Sequence, residues 1–503
     1  MPSLNMLQVV LVILLVAGSD GALKFASYYQ DHMVLQRGPQ QAVIWGHATK
    51  LGDTVTVAIA GHGSVTGVVT KDASGHGMWK VKLPAMTDKG PFTVSAKSSE
   101  GTVTIKDVLF GDVWLCGGQS NMEFPAGHVM NATAELEASL KYTDIRIMRV
   151  RNVQSTSPLS ELPENGTETN WTQPTKVAVN TFSAVCWFYG EYLYNDRKYP
   201  IGLIDSCWGG TRIEVWSSPD ALATCSHVTK RYPNASSILW NAMIKPLLGL
   251  TIYGTIWYQG ESNAGYYRQY SCHLQAMISD WRQKFHQASL DQTSASFPFG
   301  FVQLSGYHKS NTSVGAMPGL RWAQTGRHGT VPNQDLQNVF MAVAMDLPDY
   351  NSPYGSIHPR YKQDVARRLV LAARAVAYKE PGVKYQGPFP KTVTNNKAHH
   401  TINLIYNYGP IMVETNNGFE VCCSTATTCG AHDNWVAAPI QSHQDNEVVL
   451  SSTACTHNVV GLRYAWRESP CDYKKCAIYG KYTSLPAPPF IHTDNFEAGV
   501  IVG

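Results

Sequence analysis

The chain has 503 residues, 44% of them hydrophobic, so it is long enough for about three domains of roughly 150 residues, each with a sizeable core. Forty Lys and Arg against 37 Asp and Glu leave a net charge of +3, and only 15% of residues are charged. That balance excludes the basic footprint of a nucleic-acid binder and the charge-rich composition of a disordered chain. With 41 Gly, 27 Pro, 25 Tyr and 13 Trp, the composition fits a loop-rich, well-ordered extracellular type of protein.

The chain opens with an apolar run, LQVVLVILLVA over 7–17, followed by the small residues Gly18, Ser19, Gly21 and Ala22. Too short to span a bilayer, the run is expected to be the core of a signal peptide over 1–21. The signal-peptide pattern gives the secretory pathway as the expected route, and no later segment offers a membrane anchor. Sequons at Asn131, Asn165, Asn170, Asn234 and Asn311 are then expected on glycosylated surface loops.

From 23 to 107, short runs such as VTVAIA, WKVKL, FTVSAK and TVTIK alternate apolar and polar residues between Gly, Asp and Pro, which predicts an antiparallel β-module. From 108 to 382 the pattern changes. Apolar runs (VLFGDVWLCGG, IGLIDSCW, GTIWYQG, FGFVQL, VFMAVAM) alternate with helical segments, predicting an α/β domain with a mostly parallel sheet. The clearest helices are CHLQAMISDWRQKF and 358–378, where Pro359 sits near the expected first turn. From 383 to 503 β-type alternation returns in TINLIYN, IMVET, EVVLSS and GLRYAW, predicting a second β-module.

Of the eleven cysteines, five are spread through the middle and six crowd between Cys422 and Cys476. In an oxidising compartment the crowded six are expected to be disulfide staples; a zinc site with His432, His443 and His457 is the rival, but the spacing lacks paired C-x-x-C ligands. The odd total leaves at least one thiol unpaired or joined to another chain.

In an open α/β sheet, ligands bind beyond the carboxyl ends of the strands, so the residues after each apolar run carry the chemistry. Gly117 and Gly118 permit a tight turn that exposes Ser120 near a helix start, although a lone Ser there is ordinarily an N-cap. Gly209 and Gly210 follow IGLIDSCW and can offer backbone N–H groups to a developing negative charge. Gln259, Glu261 and Asn263 crowd immediately past another strand. His358 follows VFMAVAM at the expected helix N-terminus. Together they form the parts list of acyl transfer: a serine nucleophile, a histidine base and oxyanion donors. The elbow Gly-x-Ser-x-Gly is absent, since Gly260-Glu261-Ser262-Asn263 is followed by Ala264, so a different hydrolase fold is implied.

The blocks GDVWLCGGQSNMEFP, GLIDSCWGGTRIEVW, IWYQGESNAG and SIHPRYKQDVARRL resemble the SGNH (GDSL-like) hydrolase superfamily, in its Gly-Gln-Ser-Asn branch of carbohydrate O-acetylesterases. More narrowly, FASYYQDHMVLQRGPQQAVIWG and AMDLPDYNSPYGSIHPRYKQ are similar to the animal lysosomal sialate O-acetylesterases. The resemblance implies a three-layer α/β/α domain flanked by β-sandwich-like modules. It implies Ser120 as nucleophile, His358 as base, and Gly209 or Gly210 with Asn263 at the oxyanion, with no cofactor or metal. The implied substrate is O-acetylated sialic acid, mainly at the 9 position, on glycoproteins and glycolipids. Arg212 is a candidate for its carboxylate, with Gln259 and Glu261 as further contacts. Another acetylated polysaccharide such as xylan is the alternative substrate, and a non-catalytic glycan binder the less favoured one. The superfamily usually has Asp three residues before the histidine, whereas here that position is Gly355. Asp346, Asp349 or a backbone carbonyl is left to orient the imidazole.

Overall fold

A computed structural model describes residues 23–228, 235–309, 315–430 and 433–493. The segment expected to be the signal peptide, His432 and the sequons at Asn234 and Asn311 lie outside the described residues.

Seven strands form the central sheet: β1 (Gly101–Gly118), β2 (Ile145–Val150), β3 (Thr167–Thr172), β4 (Ile201–Cys207), β5 (Gly254–Tyr258), β6 (Phe299–Gln303) and β7 (Val339–Val343). Their order is β3-β2-β4-β1-β5-β6-β7, parallel throughout except for the antiparallel edge strand β3. Every residue of β4, β5 and β6 is buried, which is why their sequences run continuously apolar instead of alternating. The helices that bear on the site are α1 (Ser120–Glu123), α2 (Ala184–Arg197), α3 (Ile213–Trp216), α4 (Tyr267–Ala288), α5 (Met317–Gln324) and α6 (Lys362–Val376). Helix α2 packs along α6, and α4 against α3 and α5. Helix α4 buries Tyr270, Leu274, Met277, Ile278, Trp281 and Phe285, the stripe of an amphipathic helix. The architecture is the three-layer α/β fold that the sequence blocks imply.

Helix α6 begins at Lys362, four residues later than the sequence pattern suggests, so His358 stands in a turn ahead of the helix. That turn is closed by the His358 N–H donating to the Gly355 carbonyl at 2.9 Å and by Ser352 Oγ donating to the His358 carbonyl at 2.7 Å.

The two β-modules are fastened to the central sheet by different means. The first half of β1 pairs antiparallel with Phe92–Ser98, so a single strand runs from the N-terminal module into the sheet centre, and one apolar core spans both. The C-terminal module has two four-stranded antiparallel sheets, and its core includes Val343 and Met345 from the end of β7. A fully buried arginine, Arg321 on α5, adds a polar clasp. It donates to the carbonyls of Leu304 (2.7 Å) and Ser305 (2.8 Å), just past β6, and to those of Arg467 (2.8 Å) and Glu468 (2.7 Å) in the C-terminal module.

The crowded cysteines pair as Cys422–Cys429, Cys423–Cys455 and Cys471–Cys476, the staples expected of them, with their sulfurs committed to one another. Cys116–Cys186 ties β1 to α2, Cys225–Cys272 reaches the start of α4, and Cys207 is the buried free thiol. Among the described residues no helix is long and apolar enough to cross a membrane.

Arg321→Ala removes the donor from four carbonyls at once, so a loss of about 3 kcal/mol or more is expected. Urea unfolding of the variant beside the wild type measures it; an unchanged midpoint would show that the clasp contributes nothing to stability.

Candidate active site

Gly118 ends β1 level with Cys207 of β4 and Tyr258 of β5, its two neighbours. Its φ of +141° is open to glycine, and a Cβ there would lie 2.2 Å from the Tyr258 carbonyl oxygen. The Gln119 N–H donates to that same carbonyl at 3.0 Å, and the Trp208 N–H donates to the Gly118 carbonyl at 3.0 Å. The chain then turns into α1, with Gln119 as N-cap and Ser120 as the first helical residue, half-buried. Ser120 is therefore not the cap, and its own N–H belongs to the first turn, where helical amides have no carbonyl partner within the helix.

Gly209 abuts this serine: a Cβ built on it would sit 3.3 Å from the Ser120 Cβ. Its N–H donates to Glu123 Oε2 at 2.7 Å, while Glu123 Oε1 accepts from Arg149 (3.2 Å) and Asn152 (3.1 Å). Gly210 is exposed at φ +71° with open space around its Cα, and its N–H makes no hydrogen bond among the described residues.

Asn263 is buried with its amide fixed from both ends. Oδ1 accepts from the Ile213 N–H (2.9 Å) and Gln259 Nε2 (2.7 Å), and Nδ2 donates to Glu214 Oε2 (2.9 Å), which leaves one N–H proton of the amide uncommitted. Gln259 is fully buried. Its Nε2 donates to Gln119 Oε1, the Thr211 carbonyl and Asn263 Oδ1, and its Oε1 accepts from Tyr270, so it braces the loops from below and does not face solvent.

His358 Nδ1 lies 2.8 Å from the backbone carbonyl oxygen of Tyr354. A carbonyl only accepts, so Nδ1 carries the hydrogen and the lone pair is left on Nε2, the tautomer a general base needs. Both candidate carboxylates are spent elsewhere. Asp346 is buried in a bidentate pair with Arg368 (2.6 and 2.9 Å), and Asp349 pairs with Arg360 (2.6 and 3.1 Å), which holds its carboxyl below the usual range despite the burial. Gly355, at φ +85°, makes the turn that presents the Tyr354 carbonyl. The Tyr354 ring is stacked on His128 at 4.2 Å and packs edgewise against Phe124 at 5.3 Å.

Asn121 brings the serine and histidine segments together. Its Nδ2 donates to the Ile357 carbonyl, next to His358, at 2.9 Å and to Glu261 Oε1 at 2.6 Å, and its Oδ1 accepts from Lys362 Nζ at 2.6 Å. Burial pushes the Glu261 carboxyl up, opposed by the Asn121 hydrogen bond and the charge of Lys362. Arg212, one residue ahead of the Ile213 amide that holds Asn263, lies with its guanidinium 4.4 Å over the exposed Tyr266 ring.

Two family models match the chain: "Carbohydrate esterase, sialic acid-specific acetylesterase" over residues 110–358 and "Sialate O-acetylesterase C-terminal domain" over 391–494. The sialate O-acetylesterase of Mus musculus is 42% identical over 530 residues, covering 96% of this chain and 97% of that protein. That of Homo sapiens is 42% identical over 489 residues, covering 93% and 92%. The chain belongs to the sialate O-acetylesterase family. It is accordingly a carboxylic ester hydrolase. The crystal structure of a carbohydrate acetylesterase from Xanthomonas citri superposes with a TM-score of 0.77 at 29% identity, covering 93% of this chain and 99% of that one.

The structure gathers Ser120, Gly209, Asn263 and the His358 segment at one sheet edge of the esterase and turns Gln259 inward. Residue patterns missed Glu123, Glu214 and Lys362, whose partners come from distant parts of the chain, and Asn121, whose only signal is its place beside Ser120.

Because a carbonyl and not a carboxylate faces Nδ1, Asp349→Asn and Asp346→Asn are each expected to leave kcat per folded molecule within about tenfold, against the 10² or more typical of an oriented base. Steady-state kinetics normalised to folded protein decides, and a loss of 10² in one variant alone would identify that aspartate as the missing acid.

Proposed function

We propose that this esterase removes O-acetyl groups, chiefly at the 9 position, from sialic acids on glycoproteins and glycolipids, through an acetyl-enzyme on Ser120. The observation that carries the mechanism is the tie from Asn121 to the Ile357 carbonyl, which brings the residue beside Ser120 to the residue beside His358. His358 Nε2 takes the Ser120 proton as Oγ attacks the acetyl carbonyl, and the carbonyl π electrons move onto oxygen. That oxyanion is met by the Ser120 N–H, the uncommitted Asn263 N–H and a glycine amide. Glu123 already holds the Gly209 N–H, which favours Gly210 for this last donor. Collapse of the tetrahedral intermediate expels the sugar hydroxyl, which receives the proton from His358. Water, deprotonated by the same imidazole, then attacks the acetyl carbonyl, and the bond to Ser120 Oγ breaks as the imidazolium returns the proton to Oγ, releasing acetate.

Arg212 supports the choice of sugar. A guanidinium at the rim, oriented by Tyr266 one turn from Asn263, suits the carboxylate that sialic acid carries and neutral polysaccharides lack. Five disulfides favour an oxidising, secretory location, lysosomal or extracellular, with exposed Asn131, Asn165 and Asn170 as glycan acceptors.

Acetate release from 9-O-acetylated sialic acid should be lost in Ser120→Ala. Arg212→Ala should raise KM for the sialic acid about tenfold, as for one lost charge-assisted pair, while leaving an uncharged aryl acetate unaffected. Full activity of Ser120→Ala would remove the serine from the mechanism; preference for acetylated xylan would keep the mechanism and replace the sugar.

A further inference from the structure

Lys362 is fully buried, an uncommon position for an ammonium group, and neither the proton relay nor the oxyanion site uses it. Its Nζ donates to Asn121 Oδ1 at 2.6 Å and lies over the rings of Phe124 (4.7 Å) and Tyr258 (5.4 Å). The acidic groups acting on it are Glu261 and, farther off, Asp349, whose carboxylate is already engaged by Arg360. The network is unusual in what it joins. Asn121 lies on the helix bearing Ser120, and Phe124 caps that helix at its C-terminal end. Tyr258 and Glu261 flank the strand end that leads to Asn263. Lys362 opens α6, four residues after His358, and Asn121 also holds the Ile357 carbonyl.

We propose that Lys362 is a positioning residue: its ammonium, held on Asn121 and balanced by Glu261, locks the serine, oxyanion and histidine segments in one register. The proposal rests on the Ser120–His358 mechanism above and adds to it the group that sets its geometry. As an ammonium, Lys362 gives Asn121 a charge-assisted donor. This fixes the amide with its oxygen toward the lysine and its Nδ2 toward Glu261 and Ile357. As a neutral amine it still fills the space but loses its attraction for Glu261. Burial pulls the lysine down to about 7, so the change falls within the working range of an esterase. The direction follows: with Glu261 ionised, the ammonium and its clamp are lost as pH rises through about 7, while protonation of Glu261, whose carboxyl burial pushes up, removes its half of the pair toward acid.

The test compares Lys362→Met, which keeps the length without the charge, and Lys362→Arg, which cannot lose its charge, with the wild type and Ser120→Ala, on an aryl acetate from pH 5 to 9. Folding is checked by thermal melts. A misplaced catalytic group lowers turnover more than binding, so Lys362→Met is expected to lose on the order of tenfold to a hundredfold in kcat with KM little changed. The fall of kcat above about pH 7 should vanish in Lys362→Met and shift to higher pH in Lys362→Arg. Wild-type kcat and pH profile in a folded Lys362→Met protein would overturn the proposal. If that variant fails to fold, the proposal falls on an unshifted alkaline limb in Lys362→Arg, or on a wild-type kcat that does not decline between pH 6 and 9. A wild-type enzyme silent on every acetyl ester, or as active as Ser120→Ala, would instead overturn the underlying mechanism.

Discussion

The approach of β1 to β5 at Gly118 is the constraint from which the active-site architecture follows. With no Cβ and a φ of +141°, Gly118 lets the Tyr258 carbonyl come within what would be side-chain space, and that carbonyl takes the Gln119 N–H. Strand β1 therefore stops level with both neighbours, and the segments bearing Ser120, Gly209 and Gln259 leave the sheet at the same height. Any side chain at 118 would push β1 off β5 and separate the serine from the oxyanion loop by about the width of a methyl group, a displacement large enough to cost orders of magnitude in rate.

Beneath that edge lies an unusually polar interior. Gln119, Asn121, Glu214, Gln259, Asn263 and Lys362 are all buried, and each forms at least one side-chain hydrogen bond to another loop of the site. Burying such groups unpaired would cost several kcal/mol, so the arrangement is stable only when the loops meet in one way. The network thus specifies geometry more than it adds stability. An apolar replacement of the same volume could fold as well, yet would leave the Asn263 amide and the Ile357 carbonyl free to shift.

Much of this was legible in the sequence because the signal was local. Continuous apolar runs ending in VWLCGG, DSCWGG and WYQG mark buried parallel strands with glycine turns at their carboxyl ends, and Ser120, Gly209, Gly210, Asn263 and His358 could be picked out there. What escaped depends on partners far apart in the chain. Lys362 looks like an ordinary polar residue on the first turn of a helix, and its burial follows from Phe124 and Tyr258, which lie more than a hundred residues away. Gln259 reads as a substrate contact because several polar side chains crowd beyond its strand, whereas here Tyr270 and Gln119 draw it inward. Pro359 suggested an earlier helix start, but the turn closed by Gly355 and Ser352 takes precedence over the propensity.

The same turn explains why the imidazole has a carbonyl for a partner. An aspartate in place of Gly355 would have to adopt a φ near +85°, a region that glycine enters freely and other residues enter with some strain. It is this conformation that directs the Tyr354 carbonyl onto Nδ1, with the Tyr354 ring fixed by His128 and Phe124. A carbonyl sets the tautomer and ring orientation as well as a carboxylate does, but it brings only a dipole to the imidazolium that forms during proton transfer. On the proposed mechanism, the lost charge compensation falls to the other side of the reaction, to the free Ser120 N–H and the Asn263 amide held by Glu214. A dyad of the proposed kind depends on how rigidly its oxyanion donors are held, and the polar interior under Ser120 and Asn263 supplies that rigidity.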